Sequence, residues 1–122
     1  MKRMTKQKQA ILECFRKMKR PLSIEEISRG AAIHLSTVYR NVKWLVEEKI
    51  IREIALPGGE RRYEVFTHSH HHHFLCESCD CLYEITGCPQ GISALVPEGF
   101  KMKSHSITLH GTCPTCCMAE EF

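Results

Sequence analysis

Two cysteine pairs, Cys76-Glu77-Ser78-Cys79 and Cys113-Pro114-Thr115-Cys116, carry the strongest chemical signal in the chain. A C-x-x-C turn aims two thiolates at one point, and two such turns supply the four sulfurs of a tetrahedral structural zinc site. The 33 residues between Cys79 and Cys113 exceed the span of a compact zinc ribbon, so a folded segment must bring the pairs together. A thioredoxin-like redox pair is the competing reading, but no βαβ pattern surrounds either motif. Cys81 and Cys117 adjoin the pairs and read as surface thiols. The run His70-His71-His72-His73 precedes the first pair. In an extended strand, side chains alternate between faces, so His70 and His72 point one way and His71 and His73 the other. One strand would then donate imidazoles to two separate sites, with Glu64, Glu84, Cys88 and His105 available to join them. No catalytic constellation accompanies these donors: the H-x-E deaminase pattern fails because no Glu follows the His residues at that spacing.

These ligands are concentrated in one half of the chain. Seven of eight Cys and seven of eight His follow residue 66, in a segment of net charge −4. Residues 1–66 carry 15 Lys and Arg against 8 Glu, a balance of +7. The whole chain, 122 residues with net charge +3, has 43% hydrophobic and 25% charged residues, which is globular composition. No apolar run is long enough for a bilayer span. Met1-Lys2-Arg3-Met4-Thr5 lacks the apolar stretch of a secretory signal. A cytoplasmic location with reduced thiols follows, which favours metal over disulfides. The division predicts a module for a polyanion over 1–66 and a metal module over 67–122.

The basic half holds the elements such a polyanion module needs. Ile11, Leu12, Phe15 and Met18 share one helical face, and Pro21 ends that helix. Ser23-Ile24-Glu25-Glu26 forms a capping box for a short helix stopping near Gly30, with Ile24 and Ile27 inward. Ser36 is read as the cap of a third helix with an apolar stripe of Val38, Val42, Leu45 and Val46. Extended runs Ile50–Leu56 and Arg62–Phe66 flank Pro57-Gly58-Gly59, a hairpin turn. Helix, helix, helix and a two-stranded wing make a winged helix-turn-helix. Its third helix would enter the major groove of double-stranded DNA, placing Ser36, Thr37, Tyr39, Arg40 and Lys43 near bases, with Arg61 and Arg62 near phosphates at the wing. His34 is read as a loop or cap residue and Cys14 as core.

Taken in order, Ser36-Thr37-Val38-Tyr39-Arg40, Pro57-Gly58-Gly59, Arg62-Tyr63-Glu64-Val65, His70–His73 leading to Cys76-x-x-Cys79, Glu84, Ser104-His105-Ser106 and Gly111-x-Cys113-x-x-Cys116 resemble the ferric uptake regulator family over essentially the whole chain. The resemblance implies an α+β protein: an N-terminal winged helix-turn-helix, then a small α/β dimerisation domain with a structural zinc site. It implies a metal-dependent repressor, not an enzyme, binding a palindromic operator as a homodimer. By position it assigns Cys76, Cys79, Cys113 and Cys116 to structural zinc. Glu64, His71, His73 and Glu84 match a regulatory site, and His70, His72 and His105 a further site.

Several positions depart from the family pattern. The usual helix ahead of the first has no counterpart, Lys8 stands for an Arg, and Pro21 for a His often found before the second helix. The segment Ile85–Glu98, broken by Gly87, Pro89, Gly91 and Pro97, is too short for the family's long dimerisation helix. Cys88 lies where an acid is expected. Three imidazoles and a thiolate suit four-coordinate zinc, so zinc is favoured over iron or manganese as the sensed metal. An iron- or manganese-dependent peroxide sensor and a zinc-storage or thiol redox protein are the alternatives.

Overall fold

The structure is a computed structural model that describes residues 4–66 and 70–120. Residues 1–3, 67–69 (which begin just after the expected domain junction) and 121–122 lie outside the described residues. The chain divides into two compact units, residues 1–68 and 69–122, each considered by itself.

In the first unit, helices α1 (Lys6–Met18), α2 (Ile24–Ala31) and α3 (Leu35–Glu47) precede strands β1 (Ile51–Ala55) and β2 (Arg61–Val65). Ile11, Phe15, Leu22, Ile27, Val38, Val42, Leu45, Ile51 and Tyr63 form one buried cluster. Burying each large aliphatic side chain contributes roughly 1.5–3 kcal/mol, so this core holds the helices in place without a ligand. Cys14 is buried in it, as expected. Met18 is not: it is 48% exposed, because α1 ends there and Lys19 turns left-handed at φ 56°.

Local chemistry explains the boundaries. At the start of α2 the Ser23 N–H donates to Glu26 Oε1 at 3.0 Å, and the Glu26 N–H donates to Ser23 Oγ at 3.1 Å. As expected, α2 stops near Gly30: it runs to Ala31 with Ala32 left-handed at φ 54°. Gly30 also permits close packing, since a Cβ there would sit 3.2 Å from Cys14 Sγ. The cap of α3 is His34 rather than Ser36: the Ser36 N–H donates to His34 Nδ1 at 3.3 Å. The imidazole satisfies a helix N–H that a Ser at the first turn could not reach from inside the helix.

The wing pairs β1 and β2 antiparallel, with Arg52 opposite Glu64 and Ile54 opposite Arg62. Its loop closes through the Leu56 N–H to the Glu60 carbonyl at 2.8 Å, with Gly59 at φ 87°, a conformation that favours glycine. Leu22 adds a third, one-residue strand, exchanging two 2.8 Å backbone bonds with Tyr63.

The second unit is a sheet of order β4-β3-β5, built from β3 (His71–Cys76), β4 (Leu82–Thr86) and β5 (Thr108–Gly111), followed by α4 (Pro114–Glu120). Strand β4 runs antiparallel to β3 and β5 parallel to it. Between β4 and β5 the described backbone has only a 3-10 turn at Ile92–Leu95, so Ile85–Glu98 holds no long helix. Among the described residues, Cys76, Leu82 and Cys113 are this unit's buried hydrophobics. No described helix is long and apolar enough to cross a membrane.

Glu26 also meets Arg20 at 2.6 Å with both side chains mostly covered. Burial pushes its carboxyl up, but the Arg20 guanidinium and the Ser23 N–H outweigh this and hold it below the ordinary glutamate range. A carboxyl depressed on folding contributes stability at neutral pH that is lost as pH falls through its folded value. Glu26→Gln should cost about 1–3 kcal/mol at pH 7. In thermal unfolding its deficit should shrink under acid conditions, where the native carboxylate is protonated too.

Candidate functional site

The sheet brings the two cysteine pairs together. Cys76 ends β3, where the parallel register sets it beside Gly111 of β5, two residues before Cys113. The Glu77 N–H to Gly111 carbonyl bond at 2.8 Å extends that pairing into the turn. The turn is closed by the Asp80 N–H to the Cys76 carbonyl and the Cys76 N–H to the Cys81 carbonyl, at 2.8 and 2.9 Å, with Asp80 at φ 63°. The ligand sulfurs of Cys76, Cys79, Cys113 and Cys116 lie within 4.8 Å of one another, and Cys79 Sγ is 3.9 Å from Cys113 Sγ. Zinc–sulfur bonds near 2.3 Å imply tetrahedral edges of about 3.8 Å, so the spacing fits.

The electrostatics fit as well. The Cys113 N–H, 3.3 Å from Cys76 Sγ, leads the causes that bring the Cys76 thiol down to about 6, against burial. The Cys116 N–H does most to lower Cys113, which the Tyr83 hydroxyl also lowers. Cys116 is pushed up chiefly by the Cys113 thiol. Cys79 is helped by the Cys81 N–H, yet the Cys76 thiol and burial take it up to about 11. Two thiols ionise readily and two resist, as expected of four sulfurs whose combined charge calls for a cation. Tyr83 is a supporting residue that sequence reading missed, because its approach to Cys113 depends on tertiary packing. Cys81 and Cys117 stay outside the cluster, and the exposed Cys117 thiol donates to the Thr112 carbonyl at 3.5 Å.

The four consecutive His divide between the faces of β3. On one face His71 and His73 have ring centroids 5.0 Å apart. Glu84, opposite His73 in the register, places Oε1 3.7 Å from His71 Nδ1. Glu64, expected with them, belongs to the first unit, where it pairs with Arg52 at 2.6 Å.

On the other face, His70 Nε2 is 3.0 Å from both His72 Nε2 and His105 Nε2. Cys88 Sγ is 3.1 Å from both His72 Nε2 and His105 Nε2. Three imidazoles and a thiol therefore converge on one point, with edges slightly tighter than the roughly 3.3–3.6 Å of a zinc tetrahedron of these donors. Burial, then the neighbouring imidazoles, lowers His72 below the ordinary histidine value and favours the neutral ring that metals bind. The Ile107 N–H donates to His72 Nδ1 at 3.1 Å, so the neutral ring keeps its proton on Nε2. A metal held at Nε2 would need that proton on Nδ1, which could then no longer accept from the Ile107 N–H. Sequence reading missed this tautomer, since it depends on a backbone N–H 35 residues away.

In the first unit, Ser36, Tyr39, Arg40 and Lys43 are exposed at helical spacing, opposite the buried Val38, Val42 and Leu45. Thr37 is half-buried, and its Oγ1 accepts from Arg40 Nη2 at 3.5 Å. Arg61 is exposed and pairs with Glu53 at 3.1 Å. Arg62 departs from the expected phosphate-facing exposure. Its side chain is 7% exposed, in a run of three buried residues, Arg62, Tyr63 and Glu64. There its guanidinium donates to the Arg61 carbonyl at 3.1 Å and meets Glu60 at 3.3 Å.

Comparison with known proteins agrees with this arrangement. The model of the ferric uptake regulator family matches residues 1–110. A ferric uptake regulation protein of Synechococcus elongatus is 33% identical over 125 residues, spanning 93% of this chain and 85% of that protein. Among solved structures, a zinc-bound manganese uptake regulator aligns with a TM-score of 0.77 and 29% identity, over 92% of this chain and 91% of that one. The ferric uptake regulator from Francisella tularensis with iron aligns at 0.72 and 26% identity, over 95% of each chain. Three helices with a wing, a metal-rich sheet unit and a family match across nine-tenths of the sequence lead to one conclusion: the chain belongs to the ferric uptake regulator family, whose members are metal-dependent, DNA-binding transcription regulators and not enzymes.

Proposed function

We propose that the chain is a cytoplasmic zinc-responsive repressor that binds a palindromic DNA operator as a homodimer. The observation that carries the choice of zinc is the convergence of His70, His72, Cys88 and His105, where a thiol stands among three imidazoles and no carboxylate takes part. That donor set suits four-coordinate zinc, whereas iron and manganese favour carboxylates and higher coordination. The relatives named above are described with iron, zinc or manganese, so the preference rests on the donors alone. Membership of a regulator family sets aside the storage and thiol redox reading.

In this reading Cys76, Cys79, Cys113 and Cys116 hold structural zinc, and Glu64 completes a regulatory set with His71, His73 and Glu84. When bound, zinc supplies positive charge and a fixed geometry to these donors. The chain's own part is to hold imidazoles and thiols converging before the metal arrives. A metal bound more tightly by one arrangement of the protein shifts the population toward it. A second reading, an iron- or manganese-dependent peroxide sensor, draws on the His71–Glu84 contact, because nitrogen and oxygen donors suit those metals.

Ser36, Thr37, Tyr39, Arg40 and Lys43 are assigned to base readout and Arg61 to phosphate contact. Arg40→Ala should cost about 1–3 kcal/mol on the operator and blunt sequence preference in titrations. Arg61→Ala should weaken all sequences alike and lower the salt slope by about one. Arg62→Ala, by contrast, should act through wing stability, seen as a lower melting temperature.

Cys113→Ser should release tightly held zinc and dissociate the dimer, measured by metal analysis and sedimentation, because such a site is not formed in the unfolded chain. Cys117→Ser should leave both unchanged; equal damage from the two would mean a different set of sulfurs holds the metal.

The test of zinc sensing is operator binding across buffered free zinc, with iron and manganese in parallel. Cys88→Ser should shift the zinc response to higher concentration by about tenfold or more. Full activation of wild type by iron without zinc, with Cys88→Ser unchanged, overturns the reading.

A further inference from the structure

The turn into α3 fixes more than the start of a helix. His34 Nδ1 lies 3.3 Å from the Ser36 backbone nitrogen and 2.9 Å from Ser36 Oγ. A backbone N–H can only donate, so the Nδ1 that caps α3 carries no proton. The hydrogen between Nδ1 and Oγ must then come from the Ser36 hydroxyl. With that hydrogen committed, Ser36 Oγ has only lone pairs left to offer. An unrestrained serine hydroxyl rotates, donates or accepts as its neighbour requires, and so discriminates poorly between bases. Both side chains are exposed, and no other described side chain bonds to either. Ser36 stands four residues before Arg40, so the two share a face of α3, roughly 5–6 Å apart. Arg40 carries donors alone. The helix therefore presents an acceptor one turn ahead of a fork of donors.

We propose that His34 is a positioning residue that makes Ser36 an acceptor-only reader of the major groove, so that α3 selects a base with an exocyclic amino group. Adenine N6 and cytosine N4 are the donors that base edges display in that groove, whereas guanine and thymine display only acceptors there. A free hydroxyl would serve either kind of edge. The locked one rejects guanine and thymine, because two facing acceptors leave both without a hydrogen. The selected base lies about one or two base pairs from the one Arg40 reads, given the separation of the two side chains along the helix. The inference rests on α3 lying in the major groove, as proposed above, and adds which bases its first turn accepts.

The experiment uses full-length, metal-loaded protein and a pool of duplex DNA of randomised sequence, from which wild type selects its operator. Wild type should require adenine or cytosine at one position of each half-site, close to the position that Arg40→Ala relaxes. Replacing that base by an analogue without the amino group, purine for adenine or pyrimidin-2-one for cytosine, should weaken wild type about three- to tenfold and leave Ser36→Ala unaffected. His34→Ala should weaken every sequence and also lose the preference at this position. His34→Asn, whose side-chain oxygen caps a helix and accepts hydrogen bonds, should restore the preference. A helix cap with no part in readout would instead weaken all sequences in parallel. A preference for guanine or thymine at the position Ser36→Ala relaxes, no loss on removing the amino group, or a preference kept intact in His34→Ala overturns the proposal. If Arg40→Ala relaxes no position either, the placement of α3 in the groove fails with it; if Arg40→Ala relaxes one and Ser36→Ala none, only the role of Ser36 fails.

Discussion

Among its described residues the second unit buries little apolar surface, and the rest of its architecture answers to that constraint. The first unit closes over a cluster of ten buried side chains. In the second, the described buried hydrophobics are Leu82 and two cysteines. A unit of some fifty residues with so little core falls below what apolar burial sustains alone, which is where small domains recruit metals. The four sulfurs stand where the core would be. They link the end of β3 to the segment entering α4, and so close the sheet at one end.

That closure makes β3 the strand on which everything else is hung. Its two neighbours run in opposite senses, so one short strand receives residues from distant parts of the chain: Glu84 from β4 and the His105–Gly111 segment from the other side. Its alternation then separates two ligand sets only one residue apart in sequence. Donor chemistry differs by face, with a carboxylate beside His71 and a thiol beside His72. A single strand thereby presents a harder and a softer site, and their selectivity is decided by what the neighbouring segments bring to each face.

Much of this was legible in the sequence because it depends on short-range periodicity. The capping box at Ser23, the apolar stripe of α3, the Pro57-Gly58-Gly59 turn and the alternating His run are local patterns, and local patterns survive into structure. What escaped was set by contacts across long separations or by competing caps. Ser36 lost the α3 cap to His34, itself read as a loop or cap residue, because the imidazole reaches the Ser36 N–H. That Gly30 also packs closely on Cys14 depends on α1 lying against it. Arg62 read as a wing-tip cation, yet it is buried and its guanidinium is taken up by Glu60 and the Arg61 carbonyl. Ile107 and Tyr83 carry no motif, and only the sheet and its connections put them beside His72 and Cys113.

The His72 tautomer gives the cluster a physical lever. Its Nδ1 accepts from a backbone N–H immediately ahead of β5, so a metal held at Nε2 would have to displace that bond. A backbone hydrogen bond is worth about 0.5–1.5 kcal/mol net, a cost a metal–nitrogen bond would meet. The Ile107 bond and the Gly111 pairing thus lie on one short segment, which reaches from the three-imidazole cluster to the four sulfurs.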